Sequence, residues 1–435
     1  MNIDSYLTTI ERMDSYVRFG KIDRVIGLMI ESIGPEVNIG NVCYIHSENG
    51  KKIMAEVVGF NGEKVLLMPY SQINDIGPGS LVEATDQSLK IKVGKGLVGK
   101  VIDALGQPLD HSLLPLGLQG VDTEQMPPNP LDRPRILEPI ELGIKALDTM
   151  LTVGKGQRVG IFAGSGVGKS TLLGMIARNS EADINVIGLI GERGREVKEF
   201  IDKDLGEEGL KRSIVVVATS DQPALMRIKG AYTATAISEY FRDLGYNVNL
   251  MMDSVTRVAM AQREVGLATG EPPTTKGYPP SVFGLLPKLL ERTGTSDKGT
   301  ITAFYTVLVD GDDLNDPIAD ATRGILDGHF VLDRRLAEQG QFPAINVLKS
   351  ISRVMPQITT TDEQKLANEM RLNISVYEEN YELIQIGAYK KGTNPVVDRA
   401  IQLNPKITEF LKQGIDDKCT RAEAIERMKI VLNGG

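Results

Sequence analysis

The chain has 435 residues, an apolar fraction of 41%, a charged fraction of 24% and a formal net charge of −8. That is the balance of a soluble globular protein of several domains, and its acidity argues against a non-specific coat for nucleic acid or anionic membrane. No apolar run reaches the roughly 18 residues of a membrane-spanning helix, and Cys43 and Cys419, with three scattered histidines, make neither a disulfide framework nor a metal site.

The start of the chain lacks the basic and apolar regions of a signal peptide, so reduced thiols in a cytoplasmic protein are expected. Leu7, Ile10, Met13 and Val17 recur at helical spacing. They predict an amphipathic helix within residues 1–20, packed on its own domain or offered to a partner. From there to about residue 88 the pattern turns to β-like runs at 24–30, 41–45, 53–58 and 64–69, separated by Gly, Asn and Pro. Their spacing predicts a small β-barrel over 21–88. Residues 1–90 carry more carboxylates than basic groups and no series of stacking aromatics, which favours a structural or oligomer-crown role over nucleic-acid binding.

Residues 99–110 have strand-then-turn chemistry, and the prolines between 127 and 134 make a stiff, extended connection. An apolar run ending at Ala163 then meets Gly164, Ser165, Gly166, Val167, Gly168, Lys169, Ser170 and Thr171, after which a helical pattern opens. Strand, glycine-rich turn and helix in that order form a P-loop, although its first position is Ala163 and not Gly. Its backbone N–H groups would cradle phosphate, Lys169 would reach the β- and γ-phosphates, and Ser170 would ligate Mg²⁺. Apolar runs at 186–190, 213–218, 248–252 and 301–309 alternate with helical stretches, predicting a mostly parallel sheet covered on both faces over 89–357. Residues 358–435 read as an all-α domain. Leu366, Met370, Ile374, Tyr377, Tyr381 and Ile384 predict one helix of about 25 residues with a buried face, and further helices are expected to start at Pro395 and Pro405.

The core runs end on polar residues, where an α/β sheet places its ligand. Asp253 closes one of them and is expected to hold the metal through its water or through Ser170. Glu192 follows another and is the candidate to polarise attacking water, with Glu196 as the blander competitor. Arg193 and Arg257 either neutralise phosphate charge or pair with nearby carboxylates.

Gly-Ser-Gly-Val-Gly-Lys-Ser-Thr (164–171), Gly-Glu-Arg-Gly-Arg-Glu (191–196), Met-Met-Asp-Ser-Val-Thr-Arg (251–257) and Ser-Ile-Ser-Arg-Val (350–354) occur in the order found in the rotary ATPase family. The resemblance covers nearly the whole chain. Residues 272–283, 286–294, 312–320 and 325–329 resemble the type III export branch, most of all its flagellar members. Ile386-Gly387-Ala388-Tyr389-Lys390-Lys391-Gly392 stands where the synthase's catalytic subunit has an acidic loop, which speaks against ATP synthesis.

The resemblance implies a RecA-like core between barrel and helical tail, and a homohexamer hydrolysing Mg·ATP to energise export of flagellar proteins. It assigns Glu192 as the catalytic carboxylate, Arg193 and Arg257 as phosphate-sensing arginines, and Phe342 as the aromatic residue stacked on adenine. Arg353 matches an arginine finger supplied in trans. A stator-like regulatory protein would hold the N-terminal helix. The C-terminal domain would face the export gate, cargo and chaperones. The protein would sit peripherally on the inner face of the cytoplasmic membrane at the flagellar base. A virulence-type secretion ATPase, a hexameric nucleic-acid translocase and a non-catalytic nucleotide-binding subunit are the competing readings.

Overall fold

The computed structural model describes residues 16–73, 75–309, 311, 313 and 315–433. Most of the predicted N-terminal helix, including Leu7, Ile10 and Met13, therefore lies outside the described residues.

Six antiparallel strands, β1 (Phe19–Ile26), β2 (Met29–Ile33), β3 (Val42–His46), β4 (Lys52–Asn61), β5 (Lys64–Pro69) and β6 (Leu81–Ala84), close a barrel in the order β1-β2-β5-β4-β3-β6. Ile22, Ile30, Cys43, Ile45, Val57, Leu67 and Val82 fill it. The run at 24–30, expected as one strand, is instead a hairpin in which Ile26 pairs with Met29 across Gly27 and Leu28. Gly27 has φ +57, the left-handed backbone that a two-residue hairpin turn demands and an apolar run conceals.

Strands β7 (Lys90–Val93) and β9 (Gln119–Asp122) pair with each other outside the main sheet. The central sheet contains β8 (Val101–Asp103), β10 (Arg158–Ala163), β11 (Ile184–Ile190), β12 (Ser213–Ala218), β13 (Asn247–Asp253), β14 (Gly294–Thr295), β15 (Thr300–Leu308), β16 (Gly328–Leu332) and β17 (Ile351–Ser352). Its order is β17-β16-β10-β15-β13-β11-β12-β8, with β14 against β15; only β14 and β17 pair antiparallel. The inner strands are buried along their whole length because helices cover both faces, hence their continuous apolar runs.

The C-terminal region is helical, with two departures from expectation. The 25-residue helix is interrupted at Asn380, giving Thr361–Glu379 and Tyr381–Gln385. The Asn380 amide bonds back to the Val376 carbonyl, and Tyr381 is exposed, so no core holds the apolar face in register beyond the break. Pro405 does not start a helix. It lies inside Pro395–Leu411, whose buried Val397, Ala400, Leu403, Ile407, Phe410 and Leu411 offset a cost of about 3 kcal/mol for an interior proline. The last helix, Arg421–Leu432, begins with a capping box between Thr420 and Glu423.

Candidate active site

Adjacent parallel strands bring their C-terminal ends together, so residues scattered in sequence converge at one edge of the sheet. The cradle follows β10, Glu192 follows β11 and Asp253 ends β13. Gly168, at φ +89, is the N-cap of the helix Lys169–Asn179 and supplies no side-chain cap. The helix's first N–H groups are left for an anionic ligand, and their partial positive charge favours one.

At the first helical residue, Lys169 Nζ donates to Asp253 Oδ1 at 2.6 Å and to Glu192 Oε1 at 3.4 Å. All three side chains are largely withdrawn from solvent. Burial, the Asp253 charge close by and the contact with Glu196 push the Glu192 carboxyl up to about 7, against the pull of Lys169. Burial alone would lower the Lys169 pKa, but the two carboxylates outweigh it and hold the ammonium charged. Asp253 does not cap the following helix. Ser254 does, accepting from the Arg257 N–H, which leaves the Asp253 carboxylate to Lys169 and to Thr306 Oγ1 at 2.8 Å. Two carboxylates and the Ser170 hydroxyl beside a phosphate cradle are hard oxygen donors, a set that suits Mg²⁺.

The other predicted residues divide. Arg257 lies against the turn that leads to Glu192, since a Cβ at Gly191 would meet its side chain at 2.7 Å. Its Nε is buried without a hydrogen-bond partner. Arg193 points outward, 79% exposed, and pairs with Glu196 at 2.9 Å, the plain ion pair that was its alternative reading. Phe342 stands beside the cradle, 3.5 Å from where a Gly168 Cβ would be, and is 46% exposed. It borders a cavity of about 490 Å³ shared with Thr171, Met175, Pro343, Gln413 and Ile415, so the helical domain supplies part of the wall.

Arg353 is not in this cluster. Its N–H bonds to the Asp327 carbonyl at 3.0 Å, and Asp327 bonds to Arg158, the first residue of β10. The cradle begins after Ala163, the last residue of that strand, so the two stand about 17 Å apart along it. The Arg353 side chain is exposed.

Sequence reasoning missed Thr306, Ser254, Arg334 and the cavity wall at 413–415. Arg334 Nη2 donates to the Ser165 carbonyl at 3.2 Å and steadies the cradle's rim. Thr306 left a weak signal, one of three hydroxyls in a largely apolar run with Thr302 and Tyr305, and only the pairing of β13 with β15 places it beside Asp253.

Three family models match the chain. They are the ATP synthase alpha/beta family β-barrel domain over residues 22–86, that family's nucleotide-binding domain over 143–352, and the type III secretion EscN ATPase C-terminal domain over 359–430. A flagellum-specific ATP synthase of Bacillus subtilis is 65% identical over 427 residues, covering 98% of both chains. The assembled ATPase EscN of the enteropathogenic E. coli type III secretion system superposes with a TM-score of 0.90 at 46% identity, over 95% of this chain and 100% of that one. EscN in complex with its central stalk EscO gives 0.88 at 45% identity with the same coverage. With cradle, carboxylates and all three domain types accounted for, the chain belongs to the flagellar and type III secretion ATPases of the ATP synthase alpha/beta family, and it is an ATP hydrolase.

Proposed function

We propose that this chain is a Mg²⁺-dependent ATPase that energises flagellar protein export through a type III apparatus, working as a homohexamer with each active site shared by two copies. The observation that carries the reading is a separation. Lys169, Glu192 and Asp253 meet in one cluster, whereas Arg353 stands exposed at the far end of the P-loop strand. An arginine meant for phosphate cannot serve its own chain from there, but it suits the cradle of a neighbour.

ATP entering the cradle offers Lys169 phosphate oxygens in place of its carboxylate partners. Glu192, ionised, accepts the proton of the attacking water. Mg²⁺, held through Ser170 and Asp253, would neutralise charge on the phosphates. Arg257 supplies cationic charge beside Glu192, Phe342 stacks on the base, and Arg353 of the next copy stabilises the transferring phosphoryl group, an effect on the order of 10³–10⁵ in rate. Arg193 is free to join by leaving Glu196, an exposed pair worth little.

The flagellar assignment is favoured over a virulence-type one by the higher identity to the Bacillus subtilis protein than to EscN. The EscN–EscO complex supports a stalk protein as partner of the assembled ring. The helical C-terminal domain is the face for export gate, cargo and chaperones. Residues 1–20 are the segment for a stator-like regulator that tethers the ATPase at the cytoplasmic face of the membrane. No helix among the described residues is long and apolar enough to cross one.

The test is to mix Glu192→Gln protomers with Arg353→Ala protomers, each inactive alone, under conditions where subunits exchange. Recovered hydrolysis is expected, because some interfaces then pair an intact P-loop side with an intact arginine. No recovery would sink the shared site.

A further inference from the structure

Among the described residues no side chain bonds to the Arg353 guanidinium, so its aim depends on the backbone that carries it. That backbone is weakly tied to the sheet: β17 is two residues long, at an edge, with Ile351 45% exposed. Two residues form too little ladder to fix a position by themselves. What fixes β17 is a set of side chains at the start of the P-loop strand.

Gln157 is fully buried just before β10. Its Oε1 accepts from the Gly154 N–H at 2.9 Å, while its Nε2 donates to the Asp327 carbonyl at 3.2 Å and to Ser352 Oγ at 3.1 Å. Ser352 Oγ in turn donates to the Thr152 carbonyl at 2.7 Å. Arg158 grips the Asp327 carboxylate through Nε at 3.0 Å and Nη2 at 3.1 Å, and its own N–H donates to Oδ2 at 3.1 Å. The Asp327 carbonyl, steadied from both sides, accepts the Arg353 N–H. The approach is close: a Cβ at Gly328 would meet the Ile351 carbonyl at 2.7 Å and Gln157 Nε2 at 3.1 Å. A network of this kind, centred on the fully buried Gln157, specifies one geometry where the ladder cannot.

We propose that Gln157, Arg158 and Asp327 are positioning residues for Arg353, clamping it to the root of the strand whose other end carries the phosphate cradle. The proposal rests on the reading of Arg353 as a finger in trans. Its consequence is directional. Loosening the clamp damages the active site of the neighbour and leaves the site of the same chain intact.

Asp327→Asn weakens the Arg158 grip and keeps the backbone carbonyl. A misplacement of about 1 Å costs on the order of 10²-fold in rate, so the homomer should lose roughly ten- to a hundredfold in kcat with KM for ATP within about threefold. Mixed with Glu192→Gln, it should recover several-fold; mixed with Arg353→Ala, it should stay low. The opposite pattern, or an unchanged kcat, overturns the proposal. Should Asp327→Asn fail to fold, Ser352→Ala removes the hydroxyl's bonds to Gln157 and to the Thr152 carbonyl without adding a charge, and must give the same pattern. The control pair, Glu192→Gln with Arg353→Ala, separates the two claims. If it fails to recover, the shared site itself is wrong. If it recovers while Asp327→Asn with Glu192→Gln does not, only the clamp is wrong.

Discussion

Two buried lysines in this molecule each lie between two carboxylates, and they serve different ends. Lys229, on the helix Ala224–Asp243, pairs with Glu56 of β4 at 2.7 Å and with Glu124 just after β9. The Tyr70 hydroxyl donates to Glu56, and the Lys229 ammonium lies 5.8 Å from the centre of the Tyr232 ring. Every charge there is answered, and the cluster joins barrel to core. Lys169 has the same two-carboxylate surroundings, yet it stands at an uncapped helix start beside an open cavity, with its longer contact, 3.4 Å, to a carboxyl whose pKa is about 7. A lysine buried between acids is therefore no mark of catalysis by itself. The mark is the uncapped helix start, whose N–H groups suit an anion.

Deleting each lysine in turn separates the two roles most strongly. Lys169→Ala should lower ATPase activity by on the order of 10³-fold or more, measured as phosphate release at saturating ATP. The Glu192 carboxyl, already pushed up to about 7, can take up a proton once the ammonium is gone, which limits the loss of stability. Lys229→Met should do the reverse. Stranding Glu56 at the barrel–core junction costs about 3 kcal/mol, read from the urea midpoint, while activity per folded molecule stays within a few-fold. Loss of activity without loss of stability in Lys229→Met would erase the distinction.

A smaller effect sharpens the same contrast through pH. The Glu192 pKa lies above its ordinary value of 4.5, so the carboxyl is neutral below about 7 and can act as base only above it. kcat/KM for ATP, which reports the free enzyme, should fall about tenfold per unit as pH drops below that value. The stability sign is opposite. The folded state holds the proton more tightly than the unfolded one, so this contribution is full below about 4.5 and is lost as pH rises through 7. Glu192→Gln should thus be more stable than the parent at pH 8 but not at pH 4, by thermal melting. Asp148, which burial pushes up to about 7 in the helix Lys145–Met150, adds a similar slope to both proteins and cancels in the difference.

Much of this site was legible because its parts are local. A glycine-rich turn between strand and helix, and an acid at the end of an apolar run, are patterns within a dozen residues. What escaped depends on pairings across long separations. The neighbours of β13 are β11 and β15, so Thr306 reaches Asp253 from 53 positions away. Fold details failed where backbone geometry overrode pattern. Gly27 hid a hairpin inside an apolar run, Asn380 ended a helix whose periodicity continued, and Pro405 was carried by the packing on either side of it. Arg193 was legible as a charge near the cradle but not as a side chain turned outward, since direction on a loop has no signature in sequence.

The smallest expected effect concerns the uncharged side of the site. Phe342 packs close to Gly168, and its carbonyl accepts from the Gln413 N–H at 2.8 Å, so the ring is held where the core meets the helical domain. Stacking of a base on an aromatic ring is worth about 1–3 kcal/mol by alanine substitution. A ring 46% exposed belongs near the lower end, at about 1 kcal/mol, or roughly a fivefold rise in KM for ATP in Phe342→Ala. Because the base takes no part in phosphoryl transfer, kcat should barely change, which separates this residue from Lys169 and Glu192. Phe342→Tyr keeps the stacking face and adds a hydroxyl to a ring already half in water, so KM should move by less than about twofold. A Phe342→Ala protein with unchanged KM would put the base elsewhere. It would also leave the cavity wall that Gln413 and Ile415 of the helical domain share with Phe342 without a part in binding the base.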